Sequence, residues 1–364
     1  MFQGHSLKTA AGRHVSMTRF GAPMPRRDPP LPLLEVQDLE VAFATDAGPL
    51  RAVDGVSFAV DRNRTLGLVG ESGCGKSVSA LAVLRLIPNP PGRITAGRVL
   101  WKERDLLRLP ARQLPAIRGA EIAMIFQDPM TSLNPVFTIE QQLGEVLRIR
   151  FGQGRRQARA RAREMLATVG IADPDRRLQN YPHELSGGMK QRIMIAMALL
   201  AEPDLLIADE PTTALDVTIQ AQILALIREL QQRTGMAMVL ITHDLGVVAG
   251  VCDEVAVMYA GRIVEHAPSA AIFENSQHPY TRGLLASIPR KGRRKESRLA
   301  TIEGVVPSLL EPPPGCRFAE RCPRRRELPE ADQRRCRQVD PELLPVAGTP
   351  NAAACHYPCS GERR

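Results

Sequence analysis

Residues 70–77 read Gly70-Glu71-Ser72-Gly73-Cys74-Gly75-Lys76-Ser77. This octet fits the pattern G-x-x-x-x-G-K-[ST], and it joins an apolar stretch, TLGLVG, to a segment with helical periodicity that begins at Ser77. Glycines let the backbone bend so that successive N–H groups and the helix N-terminus point at phosphate oxygens. We therefore predict that the octet binds a nucleotide, with Lys76 at the β- and γ-phosphates and Ser77 on Mg²⁺. The alternative is a glycine-rich turn without a ligand.

A pair of adjacent carboxylates ends a second apolar stretch, LLIADE at residues 205–210. Ligands of a parallel sheet bind beyond the carboxyl ends of its strands, so this pair would lie beside a bound nucleotide. We predict that Asp209 holds Mg²⁺ and that Glu210 orients or deprotonates an attacking water. An acidic pair that only ends a strand is the alternative, and the nearby octet argues against it.

The order of the apolar stretches predicts the fold class. Residues 205–209 and 236–242 have the pattern of buried strands, and an amphipathic helix from about residue 218 to residue 232 separates them. Such strand–helix–strand alternation is typical of a parallel sheet in an α/β protein. From residue 33 onward, short stretches alternate apolar and polar residues, which predicts an antiparallel β subdomain at the N-terminus. Residues 138–201 are mostly of helical periodicity and predict a helical subdomain inserted in the core.

Composition divides the chain into three predicted parts. Residues 1–30 are polar, basic and rich in proline near their end, which predicts a disordered leader. Residues 31–289 contain the motifs described above and are predicted to form the nucleotide-binding domain. Residues 290–364 change to charged and proline-rich sequence with little periodicity, which predicts a small, irregular C-terminal extension that contains cysteines.

Charge and hydropathy exclude several classes of protein. The 364 residues carry a net charge of +9, and the basic excess lies in residues 1–30 and 290–364, whereas residues 31–289 are nearly neutral. A nearly neutral body with only 4% aromatic residues argues against a nucleic-acid partner. No apolar run approaches the ~18–20 residues that span a bilayer, and the N-terminus lacks the apolar centre of a secretory signal. We therefore expect the chain to stay in the cytoplasm.

A third motif, LSGGMKQ at residues 185–191, gives the chain a resemblance to the ATP-binding subunits of ABC transporters. Physically, Ser186, Gly187 and Gly188 offer a hydroxyl and free N–H groups at the start of a helix, which favours an anion. The resemblance implies an ABC-type ATPase core that binds ATP and Mg²⁺. It also implies that these three residues contact the γ-phosphate of ATP bound to the opposite subunit of a head-to-tail dimer.

Further roles follow from the same resemblance, position by position. Gln127, in IFQDPMTSLNP, is similar to the glutamine that contacts Mg²⁺ or the attacking water near the membrane subunits. Asp216, in ALD, matches a loop that crosses the dimer interface, and His243, in LITHD, matches a histidine that contacts the γ-phosphate. Phe43 is the candidate for the aromatic side chain that stacks on adenine, and a core phenylalanine is the alternative.

A narrower resemblance, to the ATPases of oligopeptide and dipeptide importers, covers nearly the whole chain from about residue 33. It rests on GESGCGKS, FQDPMTSLNP, HELSGGMKQR, the HPYT stretch at residues 278–281, and the PSL, GCRF and RCP stretches between residues 307 and 323. It implies two permease subunits, a second ATPase subunit that is identical or related, and an extracytoplasmic peptide-binding protein. Importers of nickel, glutathione or opines are alternatives, and so is a soluble ABC ATPase that acts outside transport.

Five of the seven cysteines lie in the last 49 residues, and they indicate a site. The resemblance to peptide importers implies that a [4Fe–4S] cluster is held there by Cys316, Cys322, Cys336 and Cys355. Four thiolates suit such a cluster or Zn²⁺, but the spacing lacks C-x-x-C, so a metal-free tail remains the alternative. Cys359 and His356 are spare candidate ligands, whereas the isolated Cys74 and Cys252 are predicted to be inert.

Overall fold

The structure is a computed structural model that describes residues 31–127, 133–212, 217–288 and 301–359, with the side chains of residues 217 and 218 also left aside. The predicted leader, residues 1–30, lies outside the described residues, and so does the predicted interface residue Asp216. The described residues from Pro32 onward form one compact unit.

The secondary structure follows the predicted α/β alternation. In chain order the strands are β1 (Leu34–Thr45), β2 (Gly48–Val60), β3 (Thr65–Val69), β4 (Gly92–Trp101), β5 (Arg104–Asp105), β6 (Ile122–Ile125), β7 (Leu205–Asp209), β8 (Ala237–Thr242), β9 (Glu254–Tyr259), β10 (Arg262–Pro268), β11 (Leu344–Pro345) and β12 (Ala352–Ala353). The α-helices are α1 (Lys76–Val83), α2 (Ile139–Phe151), α3 (Arg155–Thr168), α4 (Pro174–Gln179), α5 (Gly187–Leu199), α6 (Val217–Thr234), α7 (Leu245–Val251), α8 (Ser269–Asn275), α9 (Pro279–Ala286), α10 (Pro323–Glu327) and α11 (Glu330–Gln338).

An antiparallel sheet forms the N-terminal part, with the strand order β2-β1-β4-β5. The alternating pattern of β1 buries one face, where Leu34, Val36, Leu39 and Val41 are at most 1% exposed. Two register shifts near Leu39 bend the strand, and the side chains on either side of them still face the core. The predicted antiparallel β subdomain is thus confirmed.

The central sheet has the strand order β11-β12-β10-β9-β3-β8-β7-β6, and its strands β9, β3, β8, β7 and β6 run parallel. Every residue of β3, β7 and β8 is buried, because a parallel sheet is covered on both faces. Helix α6 covers one face with Ile223, Ile227 and Leu230, whereas α1 packs Ala80 into the core on the β1–β4 side. The carboxyl ends of β3, β7 and β8 therefore lie side by side at one edge.

Four helices, α2 to α5, lie between residues 139 and 199, where the sequence predicts the helical insert. Helix α2 begins with a capping box, because the Thr138 hydroxyl accepts from the Gln141 N–H and the Gln141 side chain accepts from the Thr138 N–H. Helix α3 buries its small and apolar face, which comprises Ala158, Ala162 and Leu166, and exposes most of its arginines. Within the described part of the chain, no helix is long and apolar enough to cross a membrane.

The C-terminal region is joined to the core by the central sheet. Strand β12 pairs with β10, so residues far along the chain extend the sheet that begins with β3. The Glu265 carboxylate of β10 is fully buried and accepts hydrogen bonds from the Gln277 N–H (2.6 Å), the His278 N–H (2.9 Å) and the Asn351 side-chain amide (2.8 Å). These bonds satisfy a carboxylate that would otherwise be costly to bury. The sequence did not predict that this region contributes strands to the central sheet.

Candidate nucleotide-binding and catalytic site

The octet at residues 70–77 forms the loop between β3 and α1. Gly70 and Gly75 adopt φ angles of +153° and +104°, a backbone conformation that residues with a side chain rarely adopt. A Cβ at Gly70 would lie 2.2 Å from the Met258 carbonyl oxygen, and one at Gly75 would lie 2.5 Å from the Ala52 carbonyl oxygen. Both glycines are thus required by backbone conformation and by close packing.

Lys76 lies inside this loop at the start of α1, and it is 5% exposed. Its ammonium group donates to the carbonyl oxygens of Gly70 (2.9 Å) and Glu71 (3.0 Å). The cation is therefore held within the curve of the loop, among the N–H groups that the pattern predicts for phosphate binding.

Cys74 is buried, with its sulfur 3.7 Å from the Lys76 Nζ. Burial raises the pKa of the Cys74 thiol, and the nearby Lys76 charge opposes that rise only in part. The thiol is therefore neutral at pH 7 and a poor nucleophile, in keeping with the predicted inert role. Cys252 is likewise buried, and burial raises its pKa to about 12.

Two oxygen groups predicted for Mg²⁺ are in contact. The Ser77 hydroxyl, in the first turn of α1, donates to the Asp209 Oδ1 at the end of β7 over 3.0 Å. Asp209 is 4% exposed, and its burial, which the Ser77 hydrogen bond opposes and the adjacent Glu210 charge reinforces, raises its pKa. A hydroxyl and a carboxylate at the end of adjacent elements are hard oxygen donors of the kind that Mg²⁺ prefers, so these residues fit the ion.

The three predicted catalytic residues lie together, because Glu210 contacts the other two. The Gln127 side-chain amide donates to the Glu210 Oε2 over 3.3 Å, and the His243 Nδ1 lies 3.3 Å from the Glu210 Oε1. These residues follow β6, β7 and β8, so the parallel sheet is what places them next to one another. Glu210 itself adopts a φ of +46°, a conformation that costs a non-glycine residue about 1 kcal/mol or more and is frequent at functional sites.

The signature residues form the start of helix α5. Ser186 is its N-cap, and its hydroxyl accepts from the Met189 N–H over 3.4 Å. Gly187 is exposed, and a Cβ there would meet nothing within 4 Å. This helix end is thus open to solvent, and its role toward a second subunit stays a prediction. The Gln191 side chain of the same helix donates to the Pro211 carbonyl, next to Glu210. This bond connects α5 to the segment that follows β7.

Phe43 is half-buried in β1, where it pairs with Gly92 of β4. A Cβ at Gly92 would lie 2.7 Å from the Phe43 ring, so the ring covers this glycine. Phe43 and Ile87 are both partly buried and pack against the hydrophobic cluster of the N-terminal sheet. Its stacking on adenine stays a prediction.

Sequence reasoning missed two residues that contact the loop from far along the chain. The Glu71 N–H donates to the Tyr280 hydroxyl over 2.9 Å, and the Glu71 carboxylate pairs with Arg321. Both lie in stretches that support the resemblance to peptide importers, HPYT and RCP, but those stretches indicate no contact partner by themselves. Glu71, predicted as part of the nucleotide-binding octet, thus uses its side chain and its N–H in bonds within the protein.

Comparisons with known proteins agree with this geometry. Residues 53–213 match the ABC transporter family, and residues 264–328 match the family described as oligopeptide/dipeptide transporter, C-terminal region. The chain is 49% identical over 326 residues to the dipeptide transport ATP-binding protein DppD of Escherichia coli, with 90% of this chain and 97% of that protein covered. The chain belongs to the ATP-binding proteins of oligopeptide and dipeptide ABC transporters. As a member of this ABC family, it is an ATPase subunit.

Other relatives and solved structures support this membership of the ABC family. A probable peptide ABC transporter ATP-binding protein, y4tR, of Sinorhizobium fredii is 58% identical over 291 residues, which cover 80% of this chain and 87% of that protein. The dimeric structure of MJ0796, a bacterial ABC transporter cassette, has a TM-score of 0.59 and 25% identity, and it covers 65% of this chain and 98% of that one. A second MJ0796 structure, with the same values, is a dimeric post-hydrolysis state bound to ADP and Pi.

In this ABC ATPase the four predicted cluster ligands lie in one part of the C-terminal region. The Cys316 N–H donates to the Cys336 carbonyl over 2.8 Å, and α10 begins directly after Cys322. Burial raises the pKa of Cys316 to about 12, and the nearby thiols of Cys322 and Cys336 add to that rise. Burial likewise raises the pKa of Cys355, which also lies near Cys316 and Cys322.

The described residues of this region form no ready-made site for a single metal ion. Within the residues that the structure describes, no group of three or more His, Cys, Asp or Glu side chains is arranged to hold one. Of the spare candidates, His356 uses its Nε2 in a 2.8 Å contact with the Val339 carbonyl, and Cys359 is buried. The sequence-based option of a zinc site therefore finds no support in the geometry.

Proposed function

We propose that this ABC ATPase binds MgATP at residues 70–77 and hydrolyses it with Glu210 as the residue that orients or deprotonates the attacking water. The observation that carries this proposal is the contact of Glu210 with Gln127 and His243, beside the Ser77–Asp209 pair. Mg²⁺, when bound, would neutralise charge on the β- and γ-phosphates, and Ser77 and Asp209 would hold it.

The chain's own residues supply the rest of the chemistry. Lys76 and the N–H groups of the loop would stabilise charge on the γ-phosphate during in-line attack. Glu210 would accept the proton of the attacking water, and the Gln127 amide and His243 imidazole would hold the carboxylate in place for that step. In a head-to-tail dimer, Ser186, Gly187 and Gly188 would complete the site of the second subunit with the exposed N-terminus of α5.

We further propose that the subunit drives peptide import through two permeases from the cytoplasmic face of the membrane, with an extracytoplasmic binding protein delivering the peptide. The support is the match of residues 264–328 to the oligopeptide/dipeptide C-terminal region and the relatives named for peptide transport. Nickel, glutathione and opines remain the alternative substrates, because the substrate is recognised by subunits other than this one.

An apolar groove along helix α2 suits a permease. A groove of about 530 Å³ runs between α2 and the residues before β6, and Phe137, Val146, Ile149 and Met197 are among its lining residues. Ile149 is 78% exposed and Phe137 46% exposed, which is a large apolar surface for a solvent-facing helix. Part of the lining, drawn from residues 115–120, precedes β6, and Gln127 follows the same strand, so β6 connects a helix docked in the groove to the residue that contacts Glu210.

This docking surface can be tested by affinity purification from detergent-solubilised membranes of the native host. The wild-type chain should recover two permeases and a second ATPase, and Ile149→Asp should recover about tenfold less permease because it places a charge in an apolar interface. Val305→Asp is the matched control, since Val305 is 87% exposed but lies outside the groove. Recovery only in the soluble fraction, with ribosomal or DNA-repair proteins, would contradict the transport proposal.

We also propose that Cys316, Cys322, Cys336 and Cys355 hold a [4Fe–4S] cluster, which takes four thiolates. Arg325 supports the fit: burial raises the pKa of the Cys322 and Cys336 thiols, and the Arg325 guanidinium lies close enough to oppose that rise. Its Nε and Nη1 are buried and have no hydrogen-bond partner among the described residues. Buried donors without a partner among the described residues, beside the Cys322 and Cys336 thiols, suit an anionic group. A cubane cluster is wider than one ion, so its four ligands need not converge on one point.

Metal analysis after anaerobic purification tests the cluster. We expect about four iron and four acid-labile sulfide per chain. Cys316→Ser should lose most of both, whereas Cys252→Ser, a buried cysteine of the core, should retain them. Iron and sulfide near background in the wild-type chain would rule out the cluster. Zinc found instead of iron would indicate that the cysteines bind Zn²⁺.

A further inference from the structure

Arg321 of the C-terminal region is bonded through all five of its N–H donors. Its Nη1 and Nη2 form a fork on the Glu71 carboxylate, with distances of 2.8 and 3.0 Å. The remaining donors bond the Tyr259 hydroxyl (3.2 Å), the Ile302 carbonyl (3.1 Å) and, from Nε, the Glu303 carbonyl (3.1 Å). The Arg321 side chain is only 6% exposed and Glu71 is 27% exposed, so this is a bidentate ion pair with a buried guanidinium rather than a contact between two exposed side chains.

Aromatic rings enclose the same ion pair. The guanidinium lies over the rings of Tyr259, at 5.7 Å, and Phe318, at 6.0 Å. Tyr280 packs against both rings, with centroids 4.6 and 5.4 Å away, and its hydroxyl accepts from the Glu71 N–H. Glu71 is thus held at its carboxylate and at its backbone by residues that lie more than 180 positions later in the chain.

The third polar group of Glu71, its carbonyl, faces the nucleotide loop. It accepts from the Lys76 ammonium over 3.0 Å and from the Cys74 N–H over 3.3 Å. One residue therefore connects Arg321 to the lysine and to the inner turn of the loop. A change in the position of Glu71 would move the carbonyl that holds Lys76.

We propose that Arg321 is a positioning residue for ATP: by holding Glu71 it maintains the loop conformation that presents Lys76 and the backbone N–H groups to the phosphates. The C-terminal region, outside the ATPase core, would thereby contribute to nucleotide affinity. This inference rests on the proposed binding of ATP at residues 70–77, and it goes beyond that proposal by giving a role to a residue that does not touch the nucleotide.

The test measures MgATP affinity of the purified full-length chain by displacement of a fluorescent ATP analogue, together with the midpoint of thermal unfolding. Arg321→Lys keeps the charge but cannot satisfy the five acceptors, and Glu71→Gln keeps the shape but loses the ion pair. Each should raise the Kd for MgATP about tenfold, and the double variant should be no weaker than either single variant, since the two residues act as one unit.

Arg317→Lys is the matched control for a merely structural role. The Arg317 side chain is 7% exposed and pairs with the buried Asp54, so it also ties the C-terminal region to the core, but it makes no contact with Glu71. It should lower the unfolding midpoint and leave the Kd within about twofold of wild type.

The outcomes separate this inference from the proposed nucleotide site. A wild-type Kd in both Arg321→Lys and Glu71→Gln would overturn the inference, and so would an equal rise in Kd in Arg317→Lys. If Arg321→Lys fails to fold, Glu71→Gln alone decides, because Glu71 is 27% exposed and its replacement is nearly isosteric. Lys76→Ala serves as the reference: if it binds ATP normally, the nucleotide site itself is misplaced, and the inference fails with it.

Discussion

Glu210→Gln should bind MgATP with near wild-type affinity and hydrolyse it at least about a hundredfold more slowly. A carboxamide has almost the same shape as the carboxylate, but it cannot accept a proton from water, and general-base catalysis contributes about 10²–10⁴-fold to such reactions. The contacts with Gln127 and His243 would persist in part, because Gln can both donate and accept hydrogen bonds. Phosphate release and Kd for MgATP measure the two effects separately.

The matched control for this variant is Glu229→Gln. It makes the same chemical change on the exposed surface of α6, where Glu229 is 67% exposed and lies 4.0 Å from Arg233. Hydrolysis should stay near the wild-type rate, because surface ion pairs of this kind contribute little. If Glu210→Gln hydrolyses ATP as fast as this control, Glu210 is not the residue that activates water.

Loss of the loop lysine should have the second large effect. Lys76→Ala should weaken MgATP binding about a hundredfold, because a charge-assisted bond to phosphate in a buried site contributes about 1.5–3 kcal/mol. Lys76 is 5% exposed, and its ammonium already lies within the loop, so the bond to phosphate would form in a buried site. Titration of the variant with MgATP measures the loss directly.

Lys102→Ala provides the comparison for the lysine variant. Lys102 is also ion-paired, to Glu121 at 2.8 Å and Asp204 at 2.7 Å, but it lies just after β4, away from the loop. Its removal should lower the free energy of unfolding and leave nucleotide affinity unchanged. Equal affinities in Lys76→Ala and Lys102→Ala would show that ATP binds somewhere other than residues 70–77.

The nucleotide loop and the acidic strand end could be predicted from sequence because both are local. A phosphate loop uses consecutive backbone N–H groups and a helix start, so eight adjacent residues carry the whole signal. Asp209 likewise ends a buried strand and Glu210 follows it, and strand ends of a parallel sheet meet at one edge whatever the connecting segments contain. The resemblance to ABC transporter ATP-binding subunits predicted the roles of Gln127 and His243, and each of them follows its own strand at the same edge of the sheet.

Contacts between distant residues were decided by the tertiary structure alone. The pairing of Arg321 with Glu71 spans 250 positions, and nothing in the composition or periodicity of either stretch indicates the other. Strand β12 comprises only Ala352 and Ala353, which is too short for a recognisable strand pattern, so its addition to β10 is evident only in the tertiary structure. The sequence by itself determined the nucleotide chemistry, because that depends on neighbouring backbone groups. The fold decided what holds the loop in place, because packing alone buries the Arg321 guanidinium and places it on the Glu71 carboxylate.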